Sequence, residues 1–271
     1  MSNGKKNYKY AIEVQYIGKN YAGSQIQVSS VEKLAPKTIQ SELEKALSTL
    51  KGELQEKSGD AKHNKRPIKT VFSGRTDKGV NAKGQIVHFE LNNSLVASMF
   101  ICSINAILPK DISVSGTFGL QEVDAGFHAQ KSAKKRHYQY VFWNKKLRDA
   151  FDGDLLLVKG DLNIERMQKA LGYLLGEHDF SSFRSTGSTT PNKTCFIYKA
   201  ECQKLGDMVV IDIVGNRFLY NMVRAIVGTL LLIEKDDLEP QTMKEILDSK
   251  DRSKAGKTVS PYGLTLMKVE Y

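Results

Sequence analysis

A short charged loop, residues 73–81, holds the side chains of this sequence that are best suited to chemistry. It lies between two apolar runs typical of strands, 70–72 and 85–89, and two glycines bracket an arginine, an aspartate and a lysine. Glycine permits positive φ and a close approach of the backbone to a ligand. An aspartate in such a loop often serves only as a turn former that bonds its own backbone. The alternative is that Arg75 binds a phosphate while Asp77 attacks a sugar or a base of the same ligand.

A second group of candidates mixes bases with aromatics. After Phe127, His128 and Ala129 the next basic residues are Lys131, Lys134, Lys135, Arg136, Lys145, Lys146 and Arg148, and the aromatic residues among them are His137, Tyr138, Tyr140, Phe142 and Trp143. A run of charges is commonly just a solvated face. Interleaved aromatics favour RNA instead, because unstacked nucleobases stack on rings while Lys and Arg contact phosphates. Tyr138 is therefore either a core residue of its strand or a residue that touches RNA.

Arg224 interrupts an apolar helix that the pattern predicts over residues 217–233. Arginine is almost never fully buried without a partner, so Arg224 either faces water or projects into a cleft where an anion meets it. A pair with Asp77 would hold that carboxylate ionised, as a nucleophile requires. Asn221 shares the face of Arg224 on the helix. Arg184 opens a Ser- and Thr-rich segment that is predicted to be either a flexible flap or a contact to RNA.

The composition favours a polyanionic partner. The chain has 271 residues, of which 41% are apolar, enough for one large domain or two small lobes. Forty Lys and Arg against thirty Asp and Glu leave a formal net charge of +10, and such an excess attracts nucleic acid first. An anionic membrane surface is the competing partner, but no apolar run approaches the ~18 residues that a spanning helix needs. The polar first nine residues lack the apolar centre of a signal peptide, which predicts a soluble cytoplasmic protein without a membrane partner.

Nothing in the sequence points to a cofactor or a metal. Cys102, Cys195 and Cys202 are odd in number and scattered, so they predict neither a disulfide framework nor a zinc knuckle. The five histidines are dispersed, and no Ser–His–Asp set can be assembled from them. The sequence has no Walker-type phosphate loop and no dinucleotide fingerprint. This argues against ATP- or NAD-dependent chemistry and against a methyltransferase.

The elements that must position these residues follow the same order in both halves. In the first half, residues 8–16 alternate with period two, which predicts a strand, and Thr38 and Ser94 are predicted to cap two helices. The second of these helices has Leu95, Met99, Cys102 and Ala106 on one face. In the second half, Asn163 is predicted to cap a helix, and residues 194–204 and 208–214 are predicted to form a hairpin. We predict an α+β fold of two ferredoxin-like (βαββαβ) lobes, residues 1–125 and 126–271, whose antiparallel sheets join around a central basic cleft. The charged segment 51–69 is predicted to be a flexible insertion.

Five stretches resemble, in order, the motifs of the TruA-type tRNA pseudouridine synthases: residues 74–80, 127–129, 136–140, 179–184 and 221–228. The resemblance covers nearly the whole chain, and the Gly-Arg-Thr-Asp-Lys-Gly-Val loop is its most specific piece. It implies that Asp77 is the family's aspartate, Tyr138 its active-site tyrosine, Arg75 its base-flipping arginine and Arg224 the arginine paired with the aspartate. Residues expected to bind substrate are Arg75, Tyr138, Phe127, His128, Lys131 and Arg184.

The resemblance implies isomerisation of uridine to pseudouridine at positions 38, 39 and 40 of the tRNA anticodon stem–loop. A homodimer would catalyse this without a cofactor, after flipping the base. Whether Asp77 attacks the ribose C1′ or the base C6, or assists elimination of uracil, is left open. Three residues depart from the family pattern: Ser24 replaces a usual Trp, Asn81 a common His, and Gln130 a frequent Arg. The rival hypothesis is a non-catalytic RNA-binding protein or chaperone that uses the same basic cleft.

Overall fold

The computed structural model describes residues 7–27, 36–57, 68–92, 94–185, 187 and 191–271. The chain divides into two compact units, 1–133 and 134–271. Each unit combines helices with a predominantly antiparallel sheet, so the fold class is α+β, as predicted. Within the described ranges, no helix has the length and apolar character needed to cross a membrane.

The first unit contains β1 (Tyr8–Tyr16), α1 (Ile39–Lys57), β2 (Thr70–Phe72), β3 (Asn81–Leu91), α2 (Ala97–Ile107), β4 (Ile112–Val114) and β5 (Leu120–Glu122). Strand β1 pairs antiparallel with β3 on one side and with β4 and β5 on the other, and β2 pairs antiparallel with β3. The strand predicted over residues 8–16 is confirmed: Ile12, Val14 and Tyr16 are buried and Gln15 is exposed, although Ala11 on the opposite face is buried too. The β2–β3 hairpin carries the charged loop between its strands.

Helix α1 begins where the sequence predicts. The hydroxyl of Thr38 accepts a hydrogen bond from the Ser41 N–H at 3.1 Å, a capping bond that satisfies one of the free donors of the first turn. The flexible insertion predicted over 51–69 is wrong for residues 51–57, which continue the helix to Lys57. Glu, Leu, Gln and Lys are strong helix formers, so a polar stretch of this composition can continue a helix. Residues 58–67 lie outside the described residues.

The Ser94 cap predicted for α2 is wrong, and the apolar face predicted for this helix is not its buried face. The helix starts at Ala97 without a side-chain cap, and its buried residues are Phe100 and Ile104, whereas Met99 is 66% exposed and Cys102 is also exposed. Apolar residues occur on both faces of this helix, so their spacing alone does not identify the inner one. The Phe100 ring decides the orientation by stacking on Phe89 of β3 at 5.9 Å.

The second unit contains β6 (Lys135–Asn144), β7 (Leu157–Val158), α3 (Ile164–Gly172), β8 (Gly176–Asp179), β9 (Thr194–Leu205), β10 (Met208–Gly215), α4 (Met222–Lys235), α5 (Thr242–Ser249) and β11 (Leu264–Glu270). Its antiparallel strands lie in the order β11–β6–β10–β9–β8, and β7 adds a short parallel pair with β6. Asn163 caps α3 as predicted, accepting a hydrogen bond from the Arg166 N–H. The predicted hairpin of β9 and β10 is also confirmed.

Helix α4 begins at Met222, five residues after the predicted start. Asn221 adopts a left-handed conformation with φ of 61°, which no helix can continue through. Further along, α4 lies directly against the backbone that follows α5: a Cβ built on Gly228 would lie 1.8 Å from the carbonyl oxygen of Lys257. The Gly256 N–H donates to the buried Thr229 hydroxyl at 2.9 Å. Glycine at both 228 and 256 therefore permits this close backbone contact.

Candidate functional site

The charged loop is a compact turn between β2 and β3. The Val80 N–H donates to the Asp77 carbonyl oxygen at 3.1 Å, and Gly79 takes a φ of 82°, which favours glycine. Val80 is buried and Asp77 is half-buried, whereas Arg75 and the lysine after Asp77 are exposed. The loop therefore presents two cations to solvent on either side of one partly shielded carboxylate.

A buried hydrogen-bond network supports this loop from below. The Tyr16 hydroxyl lies 2.8 Å from the Thr76 hydroxyl. The Gln85 side-chain amide donates to the Gly74 carbonyl oxygen at 2.9 Å and to the Tyr16 hydroxyl at 3.3 Å, and its oxygen accepts from the Ser73 hydroxyl at 2.5 Å. Burial raises the pKa of Tyr16 to about 12, so the phenol stays neutral at physiological pH. Satisfied buried networks of this kind hold a loop in one conformation.

The segment after β1 holds the same loop from the side. Ser24 is fully buried; its N–H donates to the Thr76 carbonyl oxygen at 3.0 Å, and its hydroxyl accepts from the Thr76 N–H at 2.8 Å. On the far side of Asp77, the Asn81 side-chain oxygen accepts from the Gly18 N–H at 2.9 Å. The residues immediately around Asp77 are thus bonded on both sides to one short segment.

Phe127 and His128 pack against β3. The Phe127 and His128 rings meet the His88 ring edge-on at 6.0 and 5.2 Å. Burial lowers the pKa of His88 to about 4, so its ring is neutral, and its Nδ1 accepts from the Ala129 N–H at 3.1 Å. The Nδ1 of His128 accepts from the N–H of Lys131 at 3.2 Å, and the Lys131 side chain is exposed. This places three predicted substrate-binding residues on one ordered turn of the first unit.

Tyr138 and Arg224 belong to the second unit. Tyr138 is 9% exposed, and its ring meets Phe218 edge-on at 5.2 Å. Arg224 is half-buried and held in place: its Nε donates to the Val259 carbonyl oxygen at 2.8 Å and its Nη1 to the Asn221 side-chain oxygen at 2.7 Å. These two hydrogen bonds fix the orientation of the Arg224 guanidinium.

The strained Asn221 links two of the predicted motifs. Its side-chain nitrogen donates to the Ser185 hydroxyl at 3.0 Å, next to Arg184, while its oxygen holds Arg224. Arg184 is half-buried and follows a single 3₁₀ turn, Ser181–Phe183. Much of the flap predicted after Arg184 lies outside the described residues. A non-glycine residue with positive φ is uncommon and often marks a functional site.

In the part of the chain that the structure describes, no three His, Cys, Asp or Glu side chains gather where a metal ion could be held. Cys195 and Cys202 are buried thiols, and burial raises their pKa to about 11 and about 12, which makes them poor nucleophiles. Cys102 is exposed.

The sequence interpretation missed the residues that support the loop. Tyr16, Gln85 and His88 are expected from the pattern only as strand residues, although all three are buried and hydrogen-bonded around the charged loop or the turn at Ala129. One signal is present in the sequence: Gln85 and His88 are the polar residues of the run 85–89, whose other members are apolar. Buried polar side chains need partners, so such positions point to a network.

Comparison with known proteins confirms the family resemblance. Residues 170–271 match the family model described as tRNA pseudouridine synthase. The chain is 40% identical, over 98% of its length, to the tRNA pseudouridine synthase A of Buchnera aphidicola subsp. Schizaphis graminum, of which the match covers 93%. It is 36% identical to the protein of that name from Thermoanaerobacter sp. (strain X514), covering 96% of this chain and 98% of the relative.

The comparisons also found a third relative and one distant solved structure. The tRNA pseudouridine synthase A of Francisella tularensis subsp. holarctica (strain OSU18) is 38% identical over 97% of this chain and 93% of its own. A chain in the crystal structure of a Cbf5–Nop10–Gar1 complex aligns with 82% of this chain and 54% of its own length, at 11% identity and a TM-score of 0.33, which is too low to support an inference. On the identity to the three relatives over almost its whole length, the chain belongs to the tRNA pseudouridine synthase A family, a family of isomerases.

Proposed function

We propose that this protein isomerises uridine to pseudouridine in the anticodon stem–loop of tRNA, at positions 38, 39 and 40, with Asp77 as the nucleophile. The observation that carries the proposal is the Asp77 loop itself. The loop presents a half-buried carboxylate between two exposed cations, and a buried hydrogen-bond network supports it from below. The chain that carries this loop belongs to the tRNA pseudouridine synthase A family. A cationic loop suits a phosphate backbone, and a held carboxylate suits covalent catalysis.

The reaction needs a uridine that has left its helix. A stacked base shields its reactive atoms, so it must be flipped into a pocket. Arg75, exposed beside Asp77, fills the space that the base vacates and contacts the backbone. Tyr138 holds the flipped ring, and Phe127, His128, Lys131 and Arg184 bind the RNA around it. The ammonium group of Lys131 attracts a phosphate as a compact charge, whereas the planar guanidinium of Arg75 can bind a phosphate with two hydrogen bonds.

The chemistry is an isomerisation, so atoms and electrons balance without a cofactor. The bond from C1′ to N1 breaks, a bond from C1′ to C5 forms, the C5 proton leaves, and N1 takes up a proton. Asp77 promotes this by attacking C1′ or C6, or by assisting loss of the uracil anion. A base removes the C5 proton, and Tyr138 serves as that base. All three routes require Asp77 to be ionised.

Arg224 is proposed as the cation that keeps Asp77 ionised. Its guanidinium is half-buried and oriented by Val259 and Asn221 before substrate arrives, and a guanidinium beside a carboxylate favours the charged form. The α+β units are proposed to be ferredoxin-like lobes around a basic cleft that brings these residues together. The strand orders β4–β1–β3–β2 and β11–β6–β10–β9 support the ferredoxin-like topology of each unit. The active protein is proposed to be a homodimer in the cytoplasm. Sedimentation velocity would test the dimer.

Arg224→Lys is expected to slow the chemical step on the order of 10²-fold while tRNA binding changes little, because lysine lacks the planar fork that fixes the geometry. Arg252→Lys is the matched control: Arg252 is also half-buried and bonds Ala255 and Thr258, yet has no proposed part in the reaction. Single-turnover rates and filter-binding constants separate the two steps. Equal losses of rate and affinity in Arg224→Lys would contradict the pairing.

The position of the product is the direct test of the proposed substrate. Transcribed tRNAs that carry uridine at 38, 39 or 40 are incubated with the protein, and pseudouridines are mapped by carbodiimide modification and primer extension. We expect stops at these uridines and none in transcripts with cytidine there. Pseudouridine elsewhere in the tRNA would overturn the anticodon assignment. Tight tRNA binding without any product would instead support the non-catalytic RNA-binding protein.

A further inference from the structure

We propose that Ser24 and Asn81, two of the three departures from the family pattern, form a matched pair of positioning residues that orient Asp77. The inference rests on the proposed function, because it assigns these residues a part in the rate of that reaction. Both lie within the first unit, and neither is proposed to touch the substrate. Their effect passes through the backbone of the loop that carries Asp77.

The segment between β1 and α1 is hydrogen-bonded to the charged loop on both sides of Asp77. Before Asp77, the N–H and the hydroxyl of Ser24 both donate to the Thr76 carbonyl oxygen, and the same hydroxyl accepts from the Thr76 N–H. After Asp77, the Asn81 side chain accepts from the Gly18 N–H at 2.9 Å. Both anchors belong to one run of seven positions, 18–24, so a shift of that run moves both ends of the loop together.

The backbones are too close for this segment to move independently. A Cβ on Gly18 would lie 2.0 Å from the Val80 carbonyl oxygen, and a Cβ on Gly23 would lie 3.0 Å from the Thr76 carbonyl oxygen. Gly23 also takes a φ of 118°, which L side chains rarely adopt. The segment therefore fits against the loop with no space for adjustment, and its hydrogen bonds fix where the Asp77 backbone lies.

Each of the two side chains supplies the acceptor for one backbone N–H. At position 24 a small hydroxyl satisfies the buried Thr76 N–H, and at position 81 an amide oxygen satisfies the Gly18 N–H. A buried donor without an acceptor costs free energy, so each side chain holds its partner in place. Misplacing a catalytic group by about 1 Å costs on the order of 10²-fold in rate, so such bonds matter for turnover more than for affinity.

Ser24→Ala and Asn81→Leu test this with tRNA, by single-turnover pseudouridine formation and by filter binding. We expect each to lower the rate constant by about 10-fold or more and to leave the tRNA dissociation constant within about twofold, as for a misplaced nucleophile. The double variant should lose less than the product of the two single losses, because both act on one loop.

Ser115→Ala is the matched control, since Ser115 is also buried, lies in the same unit and accepts a backbone N–H, from Phe118 at 3.4 Å. It should keep the wild-type rate, and thermal melts of all variants separate lost folding from lost orientation. If Ser24→Ala does not fold, Asn81→Leu carries the test alone.

Equal rates for the Ser24 and Ser115 variants, or losses of affinity that parallel the losses of rate, would overturn the inference while the wild type is active. A wild type that forms no pseudouridine overturns the proposed function and this inference together.

Discussion

Asp77→Asn is expected to abolish pseudouridine formation, on the order of 10⁴-fold or more, while tRNA binding stays at the wild-type level. The amide has the shape of the carboxylate, so the turn closed by the Val80 N–H can form unchanged. It lacks the charge and the nucleophilic oxygen that each of the three routes requires. Removing a negative charge cannot weaken the attraction of a chain of net charge +10 for phosphates. Single-turnover rates and binding isotherms with one labelled tRNA measure both quantities.

Asp207→Asn is the control for that variant. Asp207 is an exposed residue of the Gly206–Asp207 turn, which joins β9 and β10 of the second unit. In the order of elements, the β9–β10 hairpin of the second unit corresponds to the β2–β3 hairpin of the first unit. The same change of chemistry there should leave both rate and affinity unchanged. An Asp77→Asn protein that turns over at more than about a tenth of the wild-type rate would remove Asp77 from the nucleophile's role, since loss of a covalent catalyst is far larger.

Gly228→Ala is expected to destabilise the fold strongly, although it adds only one methyl group. The new Cβ would lie 1.8 Å from the Lys257 carbonyl oxygen and 2.9 Å from its carbonyl carbon, so backbone has to move. Overpacking costs about 1–3 kcal/mol and sometimes more, and here the neighbour is backbone that cannot rotate away. The displaced segment also includes Val259, whose carbonyl oxygen orients Arg224. We therefore expect a free energy of unfolding lower by about 3 kcal/mol, with a loss of rate.

Gly172→Ala is the control for Gly228→Ala. Gly172 ends α3, and a Cβ built there meets no atom within 4 Å. Alanine is the better helix former by up to about 1 kcal/mol, so this variant should be neutral or slightly more stable. Urea unfolding followed by circular dichroism measures both variants. Equal midpoints for the two would show that the contact between α4 and residues 256–257 does not constrain the fold.

The residues that could be predicted are those whose role is local. The alternation of β1 follows from burial on one face, and the Thr38 and Asn163 caps follow from side chains that satisfy the next turn. The orientation of α2 failed because both of its faces are apolar, and the choice depends on where Phe100 meets Phe89 of the neighbouring strand. A helix with one polar face would have been oriented correctly.

The support of the site depends on contacts that are distant in the sequence. Tyr16 meets Thr76 and Gln85 from 60 and 69 positions away, and no periodicity encodes such pairs. The motif identified Asp77 and its neighbours but could not show that Ser24 and Asn81 hold them. Likewise, helical spacing places Asn221 on the face of Arg224, but that spacing encodes neither its left-handed backbone nor its bond to Ser185, 36 positions away.

The most direct test of the central claim is tritium release from tRNA transcripts labelled at uridine C5, with the wild type beside Asp77→Ala. Each pseudouridine replaces the C5 hydrogen with the bond to C1′, so one triton enters water for every uridine converted. Release by the wild type in proportion to the uridines at 38–40, with none by Asp77→Ala, is the predicted result. Equal release by both proteins, or none by either while both bind tRNA, would contradict the account.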